Sequence, residues 1–582
     1  MPSMMRTETL QHRPWICCSG WLLGCLTLLV GCEKHDDPVR DIQQRRQAQQ
    51  RAAHEIDNLR EAHRLVSQLA ELNQEAAEQR IVSFLNTWSD SHPATGNWSP
   101  TALTASIEPR LKDAPGLRAL DASRFVPSDV EYLELNYLLR QVTKWAGQAT
   151  GDDPLFAEWL SSLEERLGSE GQFRLRQASQ LFDWTIRNIA LEPLELDSPA
   201  PPIARLPAGL TFRGPGYRQT TLETLMRSSG DPWQRARVFI QLCRQAGIDA
   251  CLLGLPGENA SEPSEWLVGV RVGEELFLFE PRLGIPVPGP DQVGIATLGE
   301  AREDASILRR LNVPGWFDYP IDAEMVQQTV ALLDAPPESL SQRMARLEAG
   351  LTGETRMMLG YDATASSEAF KAIPGITAVQ LWSVPFEAQI YEAALAEAAE
   401  NDLNIAAWQA SEWGMLTPGF PLAKARWEHL VGDFDSEGQE EGARILYMQL
   451  RHPEFDIDDL EFNVDLQRSY GIRRQLGQSN EEFSFQIRRI QEVMRVAKRA
   501  ASYWLSLIHY DTGDYENARN WFDKRVLGDE QRSRWEAAAR YNLARSLEHL
   551  GDLERAEELY KTIDAPQEHG NRIRARLLSR QE

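Results

Sequence analysis

The sequence predicts an α+β core that is flanked by mostly α-helical regions and followed by a C-terminal α-solenoid. Three observations support this fold class. Between Gly230 and Gly284, a helical pattern runs into a buried strand and then a hairpin. The segments on both sides carry apolar residues three or four positions apart, as helices do. Near the C-terminus, a helical-hairpin pattern recurs with a period of 38 residues, from Gly513 to Gly551.

The first part of the core has the pattern of an amphipathic helix. Asp231 can cap its N-terminus, and Pro232 suits the first turn because its missing N–H needs no partner there. Apolar residues follow at helical spacing, namely Ala236, Val238, Phe239, Leu242, Cys243 and Ala246. Gly247 can adopt the left-handed conformation that ends a helix. A short strand, buried on both faces, is then expected from Ala250 to Leu253.

A hairpin is predicted to follow this strand. Trp266, Val268, Val270 and Val272 alternate with Leu267, Gly269 and Arg271. Gly273-Glu274 forms the turn, and Leu276 to Phe279 returns as the partner strand. Helix, strand and hairpin in this order form the centre of a domain that we place at residues 193–335.

This stretch resembles the transglutaminase-like superfamily, which has a papain-like α+β fold, over roughly residues 170 to 290. Leu242 to Ala250, LCRQAGIDA, is similar to the LxRxxGIxA run at the end of the family's core helix. Trp266 corresponds to the tryptophan of the His-x-Trp that opens a strand in the family. Glu280-Pro281 resembles the Asp-Pro that closes the next strand. Leu181 to Ile189 resembles the helix that commonly precedes this core.

The catalytic groups of that family are not matched. Its cysteine, histidine and aspartate would fall on Pro232, Ser264 and Glu280. Proline offers no nucleophile, and serine offers no base near neutral pH. No histidine lies between His92 and His429. We therefore predict a pseudoenzyme core without a catalytic residue.

An enzymatic alternative stays open, in which a transferase or amide hydrolase has a relocated site. Its nucleophile would be Ser228, Ser229, Cys243 or Cys251, with His429 or a later histidine as the base. Otherwise, we expect both cysteines to be small buried hydrophobic residues rather than a disulfide. No metal-ligand cluster, phosphate loop or dinucleotide motif is recognised, so no cofactor or metal is expected.

The N-terminus resembles a bacterial lipoprotein signal. Arg6 and Arg13 precede an apolar run that is too short for a confident membrane span. Leu29-Val30-Gly31-Cys32 resembles a lipobox, so residues 1–31 are predicted to be a signal peptide and Cys32 to be lipidated. An uncleaved signal anchor is the alternative. Glu33 at the next position favours the outer membrane of a diderm bacterium, facing the periplasm.

Residues 32–100 have the pattern of a tether followed by a helical or coiled-coil spacer. A narrow apolar seam is formed by Ile56, Leu59, Ala62, Val66, Leu69 and Asn73. This seam fits either self-association through a coiled coil or packing against the same chain. Residues 101–192 are predicted to be a helical region that leads into the core. Residues 336–495 are predicted to be a second helical region.

The predicted solenoid covers residues 496–582. Tyr503, Leu505, Gly513, Asp514, Ala518 and Phe522 recur as Tyr541, Leu543, Gly551, Asp552, Ala556 and Tyr560. This pattern resembles tetratricopeptide repeats, in which alanine lets two helices approach and an aromatic residue fills the gap to the next repeat. Such solenoids present a concave face to peptides or proteins. A purely structural solenoid is the alternative.

These observations predict a non-catalytic, membrane-anchored envelope lipoprotein that acts as a protein- or peptide-binding scaffold. The membrane would be contacted through the N-terminal lipid, and the partner would be a periplasmic protein or peptide. The formal net charge of −25 makes nucleic acid an unfavourable partner. A structural spacer that self-associates through the seam is a third hypothesis.

Overall fold

The computed structural model of the protein describes residues 58–93, 99–107, 111, 114–194, 216–256, 263–417, 419–436, 441–451, 457–469, 472–528, 533–562 and 565–580. The predicted signal peptide, Cys32 and Ile56 of the seam lie outside these ranges. Within them, no helix combines the length and the apolarity that crossing a membrane requires.

A mixed six-stranded sheet forms the centre of the molecule. A separate short parallel pair joins β1 (Ala190–Leu191) to β2 (Ser229–Gly230). The main sheet contains β3 (Ala250–Leu255), β4 (Ser264–Val272), β5 (Glu275–Glu280), β6 (Ile285–Pro286), β7 (Thr329–Leu333) and β8 (Ile376–Leu381), in the spatial order β6-β5-β4-β3-β7-β8. Only β7 and β8 run parallel, and the other neighbours are antiparallel. The predicted strand and hairpin are therefore confirmed as β3, β4 and β5.

Most of the remaining described chain is helical. The helices up to the sheet hairpin are α1 (Gln74–Ser91), α2 (Pro115–Arg118), α3 (Pro127–Trp145), α4 (Ala157–Ser162), α5 (Glu164–Asn188), α6 (Thr221–Arg227) and α7 (Pro232–Gln245). Those that follow are α8 (Leu298–Glu303), α9 (Ala305–Arg309), α10 (Gln342–Gly350), α11 (Ala363–Lys371), α12 (Val384–Asn401), α13 (Leu403–Trp413), α14 (Pro421–Val431) and α15 (Ala443–Gln449). The last are α16 (Ile457–Phe462), α17 (Val464–Ser469), α18 (Asn480–Asp511), α19 (Tyr515–Trp521), α20 (Glu536–His549), α21 (Leu553–Thr562) and α22 (Glu568–Leu578).

The predicted core helix is confirmed as α7, but it is more deeply buried than an amphipathic pattern indicates. Every residue of α7 except Arg244 is buried, because α3 and α5 cover the sides that the sheet leaves open. Phe182 of α5, Phe239 of α7 and Phe279 of β5 meet at its centre, with ring centroids 5.1 to 5.3 Å apart. Gly247 ends the helix with a φ of 71°.

The described part of the N-terminal seam packs against the same chain. Residues 58–67 are helical, and Ala62, Val66 and Leu69 are buried in the main hydrophobic core. Lys424 of α14 pairs with Glu71 next to the seam at 2.7 Å. This packing uses the apolar surface that a coiled coil between copies would need.

Two predicted segment boundaries do not coincide with boundaries of the fold. Strand β8 belongs to the main sheet although it lies beyond residue 335. Helix α18 runs without a break across residue 495. The described residues from 58 onward belong to one compact unit, which begins at Glu55.

The two predicted repeats fold as helical hairpins with matching turns. Asp514 donates its backbone N–H to the His509 carbonyl, and Asp552 donates to the Leu547 carbonyl, five residues back in both cases. The alanines and aromatics of the pattern, Ala518, Ala556, Phe522 and Tyr560, are all 0% exposed. The pattern therefore marks packing positions, as predicted.

Candidate functional site

The N-terminus of α7 holds Pro232, which the sequence resemblance aligned with the family's cysteine. Asp231 caps the helix, because its Oδ1 accepts hydrogen bonds from the backbone N–H groups of Trp233 (2.9 Å) and Gln234 (3.0 Å). Burial raises the pKa of Asp231 to about 7. Pro232 occupies the first helical position and is itself buried. The backbone N–H groups of Trp233 and Gln234 thus have a hydrogen-bond partner within the chain, and Pro232 offers no nucleophile.

Ser264 and Glu280, which the resemblance aligned with the family's histidine and aspartate, are not joined by a hydrogen bond. Ser264 is the exposed first residue of β4, whereas Glu280 is the last residue of β5 and is 1% exposed. Tyr319 donates its hydroxyl to Glu280 Oε2 at 2.6 Å and accepts the Trp266 indole N–H at 2.8 Å. Burial raises the pKa of Glu280. The acidic position therefore holds a hydrogen-bonded chain of Trp266, Tyr319 and Glu280 rather than a histidine–carboxylate pair.

Arg235 ties the start of α7 to three other parts of the molecule, and sequence reasoning missed it. Its guanidinium donates to the Ile189 carbonyl (2.7 Å), the Pro281 carbonyl (3.3 Å) and Gln567 Oε1 (2.7 Å). Among the described residues, no carboxylate pairs with it, and burial lowers its pKa to about 9. The sequence signal that could have identified Arg235 was a positively charged residue within a helix of mostly apolar residues.

The C-terminal helix α22 lies directly on this end of the core. A Cβ atom added to Gly570 would lie 1.7 Å from the Leu283 carbonyl oxygen, so the two backbones are in close contact. His569 donates from Nε2 to the Leu311 carbonyl at 2.7 Å and stacks on Phe317. Helix α22 therefore packs closely on the segment that follows β5.

In the described residues, the relocated site of the enzymatic alternative does not form around either cysteine. Of the serine candidates, Ser228 is 0% exposed, and Ser229 Oγ accepts a hydrogen bond from Arg534 at 2.7 Å. Cys243 and Cys251 are free and 0% exposed, and burial raises the pKa of both thiols. His429 Nδ1 contacts Arg426 and Tyr447, and burial lowers the pKa of its imidazole. No hydrogen bond joins a described histidine to either cysteine. A thiolate–imidazolium pair is thus unavailable here.

Buried ion pairs fasten the repeats to the core helix α5. Asp183 accepts from Arg187 (2.7 Å) on its own helix and from Arg545 (2.6 Å) of the second repeat. Arg187 also pairs with Asp511 of the first repeat at 2.5 Å. Arg574 of α22 reaches Asp153, which lies before α4, at 2.7 Å. Apart from the Asp183–Arg187 pair within α5, these contacts join residues that lie hundreds of positions apart, so sequence reasoning missed them.

The same contacts cover one face of the repeats. Tyr503 of α18 and Asn542 of α20 both donate to the Arg187 carbonyl, at 3.4 and 3.1 Å. Arg545 of α20 also donates to Asp183 of α5. The first helices of the two repeats therefore bind α5 of the same chain. At these residues, the surface of the repeats is therefore an internal contact.

A small helical platform before the repeats leaves large apolar side chains exposed. We define the platform as the described residues from 457 to 493, which form α16, α17, the segment between α17 and α18, and the first part of α18. Its own small core consists of Leu460, Ile472, Phe483 and Ile487. Around this core, Phe462 is 78%, Val464 61%, Leu476 108% and Phe485 63% exposed. Contiguous exposed apolar patches mark interaction surfaces, so these four side chains make the platform a candidate for one.

No metal centre is indicated in the described part of the chain. No group of three histidine, cysteine, aspartate or glutamate side chains there could hold a metal ion. The side-chain arrangement around Glu280 is likewise a hydrogen-bonded chain with one carboxyl group.

Comparison with known proteins supports the C-terminal part of the assignment. Residues 537–563 match the family model described as tetratricopeptide repeat. This segment coincides with the second of the two predicted repeats. No curated protein and no solved structure matches the chain. The chain therefore contains a tetratricopeptide repeat, a module that generally mediates contacts between proteins.

Proposed function

We propose that the protein is a non-catalytic scaffold that binds a protein partner. The observation that carries this proposal is the tetratricopeptide repeat at residues 537–563, together with the exposed apolar platform that directly precedes the repeats. Repeats of this type usually organise protein contacts, and the platform supplies a surface that is still open.

The absence of catalysis is inferred from the core. We interpret α7, β3, β4 and β5 as a degenerate transglutaminase-like unit, because helix, strand and hairpin follow one another as in that family. The positions that correspond to the triad carry Pro232, Ser264 and Glu280. Helix α22 packs closely on the segment that follows β5. Both features favour a core that keeps the fold of the family and has a structural role.

The platform is the proposed docking surface, and its occupant is an amphipathic segment of a partner protein. Exposed Phe462, Leu476 and Phe485 would supply the apolar centre of the interface. Charges of both signs surround them, including the exposed pair Arg468 and Asp465. A mixed polar rim around an apolar centre is typical of protein interfaces. Helices that bind membrane surfaces carry mainly basic residues on the polar face, which this platform does not.

Site-specific photocrosslinking in cells tests this assignment. A photoreactive phenylalanine analogue is placed at Phe485 and, as the control, at Phe173, which is an equally exposed phenylalanine (63% and 62%) on α5. We expect a discrete protein adduct at position 485 only. The adduct should be at least about tenfold weaker when Phe462→Asp and Leu476→Asp are added, because charges replace the apolar contacts.

The purified partner identified in this way should then bind the isolated protein and lose affinity with the same two substitutions. Adducts of equal intensity at both positions would overturn the proposal. So would adducts that contain only lipid, only a second copy of the chain, or no adduct at position 485.

We further propose that the protein is a lipoprotein anchored at Cys32 in the outer membrane, facing the periplasm. The support is the sequence Leu29-Val30-Gly31-Cys32, which follows an apolar run with arginines before it. The platform and repeats would then act close to the membrane surface.

A further inference from the structure

A pocket of about 220 Å³ lies on the side of the core formed by α3, α12 and the segment that precedes α10. It is smaller than the pockets of 300 Å³ or more that take drug-sized ligands. Its size therefore suits a small metabolite. The triad-equivalent residues and the platform do not line it.

Carboxyl groups crowd one part of this pocket. Glu131 of α3, Glu392 of α12 and Glu338 all line it. Glu338 is 4% exposed, and its Oε1 accepts a hydrogen bond from Gln389 at 2.6 Å. Glu131 is exposed, whereas Glu392 is half-buried. Burial and the nearby carboxylates Glu223 and Glu338 raise the pKa of Glu392 to about 8. A bound cation would relieve this mutual repulsion.

A buried guanidinium lines the same pocket. Arg237 of α7 is 5% exposed. Its only ion pair among the described residues is a loose one, with Nε 3.7 Å from Asp334 Oδ2. Its Nη1 is buried without a hydrogen-bond partner. Since buried donors are nearly always satisfied, this side chain calls for an acceptor from outside the described protein groups.

Apolar side chains form part of the remaining wall of the pocket. Pro115, Pro337 and Pro385 line the pocket, together with Ala388 and Leu135. Proline and alanine side chains offer no hydrogen bonds, so they suit the aliphatic part of a ligand. The pocket thus combines an acidic part, an unsatisfied cation and an apolar wall.

From this combination we infer that the pocket binds a small aliphatic zwitterion of the amino-acid class. Its ammonium group faces Glu131 and Glu392, its carboxylate faces Arg237, and its methylene groups lie against the prolines. The site is independent of the proposed partner surface, because the platform shares no residue with it.

Isothermal titration calorimetry on the purified protein tests this site. The probes are 4-aminobutanoate and 6-aminohexanoate, with hexylamine and hexanoate as probes that keep only one charge each. We expect at least one ω-amino acid to bind at least about tenfold more tightly than both single-charge probes. If hexylamine or hexanoate matches the better ω-amino acid, the zwitterion assignment is overturned. Absence of binding by all four probes overturns the site itself.

Matched variants locate the binding. Glu392→Gln should weaken ω-amino acid binding at least about fivefold, whereas Glu397→Gln, an exposed position on the same helix outside the pocket, should leave it unchanged. Arg237→Gln should abolish the preference for the zwitterion over hexylamine. If that variant does not fold, the comparison of the two glutamate variants decides the question. Equal binding by both glutamate variants would overturn the assignment.

Discussion

Individual charged residues hold this molecule together at places where their charges have little access to water. Asp183 forms ion pairs with both Arg187 and Arg545, and all three side chains are at most 11% exposed. Removing one partner of a buried ion pair leaves the other charge uncompensated, which costs far more than the loss of a surface pair.

Asp183→Asn should lower the free energy of unfolding by about 1–3 kcal/mol, because Arg187 keeps Asp511 and Arg545 keeps Asp153 as a buried partner. Urea denaturation followed by circular dichroism measures this change. The control is Asp465→Asn, which removes the carboxylate of the pair with Arg468, whose side chains are 89% and 75% exposed. The control should change stability by less than about 1 kcal/mol. Equal effects of the two substitutions would show that the buried pair is not a major contributor.

A histidine next to these ion pairs makes stability depend on pH. Desolvation and the charge of Arg545 lower the pKa of His549 from 6.5 to about 4, while Asp183, Asp153 and Glu548 oppose this shift. Between these two values, the unfolded chain binds the proton and the folded protein does not. Stability should therefore fall as the pH drops from about 6.5 toward 4, by up to about 1.4 kcal/mol per pH unit.

His549→Phe should remove that part of the slope. Phenylalanine keeps a flat ring against Tyr515, on which His549 stacks at 4.1 Å. Urea titrations at pH 4.5, 5.5 and 6.5 give the slope for each protein. Parallel slopes for the variant and the parent protein would rule out this histidine as the source.

Local chemistry made several single residues predictable. Asp231, Pro232 and Gly247 have the roles that their types favour at helix ends, and both cysteines are buried as expected. Arg235 could not be placed in the same way. Its partners come from α5, the end of β5 and the segment before α22, so no neighbouring residue in the sequence indicates its role.

At the scale of elements, the regular pattern of the repeats carried the most information. Alanine and aromatic positions recur because each hairpin must bury the same contacts, and the structure places both sets in the interior. The pattern did not reveal that α18 and α20 pack on α5. Nor did it indicate that α22 would follow the repeats and cover the core.

Helix α22 should be sensitive to a single methyl group. In Gly570→Ala, the added Cβ would lie 1.7 Å from the Leu283 carbonyl oxygen, so the helix must shift. We expect a loss of about 2–4 kcal/mol in unfolding free energy, as in other overpacked sites. Hydrogen exchange should show increased exchange in α22 and the segment after β5.

Gly299→Ala is the matched control for that substitution. Gly299 lies in α8, and the nearest atom to an added Cβ is 3.9 Å away. Alanine is the better helix former, so this variant should be neutral or slightly stabilising. If both variants behave alike, the close contact of α22 with the core does not limit stability.

At the scale of the whole molecule, the predicted segments are not independent. The proline pair Pro336-Pro337, which directly follows the predicted boundary at residue 335, lies in the connection between β7 and β8 and lines the acidic pocket. Proline restricts the local backbone but does not report whether a later strand returns to the same sheet. The order of strands in the sheet was therefore beyond what the local pattern could predict.

The membrane anchor is a prediction about the whole molecule. Cys32→Ser should abolish incorporation of radiolabelled palmitate and move the protein from the membrane fraction to the soluble fraction after cell lysis. Replacing the thiol removes the atom that would take the lipid. The control is Cys25→Ser, which lies within the predicted signal peptide. Palmitate labelling that persists in Cys32→Ser, or is lost in both variants, would contradict the assignment.

The pairing of Asp183 with Arg545 has a consequence for biosynthesis. The two residues are 362 positions apart in the sequence. At 5–20 residues per second, a ribosome needs about 20–70 s to reach the arginine after it has added the aspartate. During that time Asp183 has Arg187 of its own helix as a partner, but the helix lacks the contacts that Arg545 and Asp511 will supply. We therefore expect the early part of the chain to stay hydrated and to depend on chaperones until translation is nearly finished.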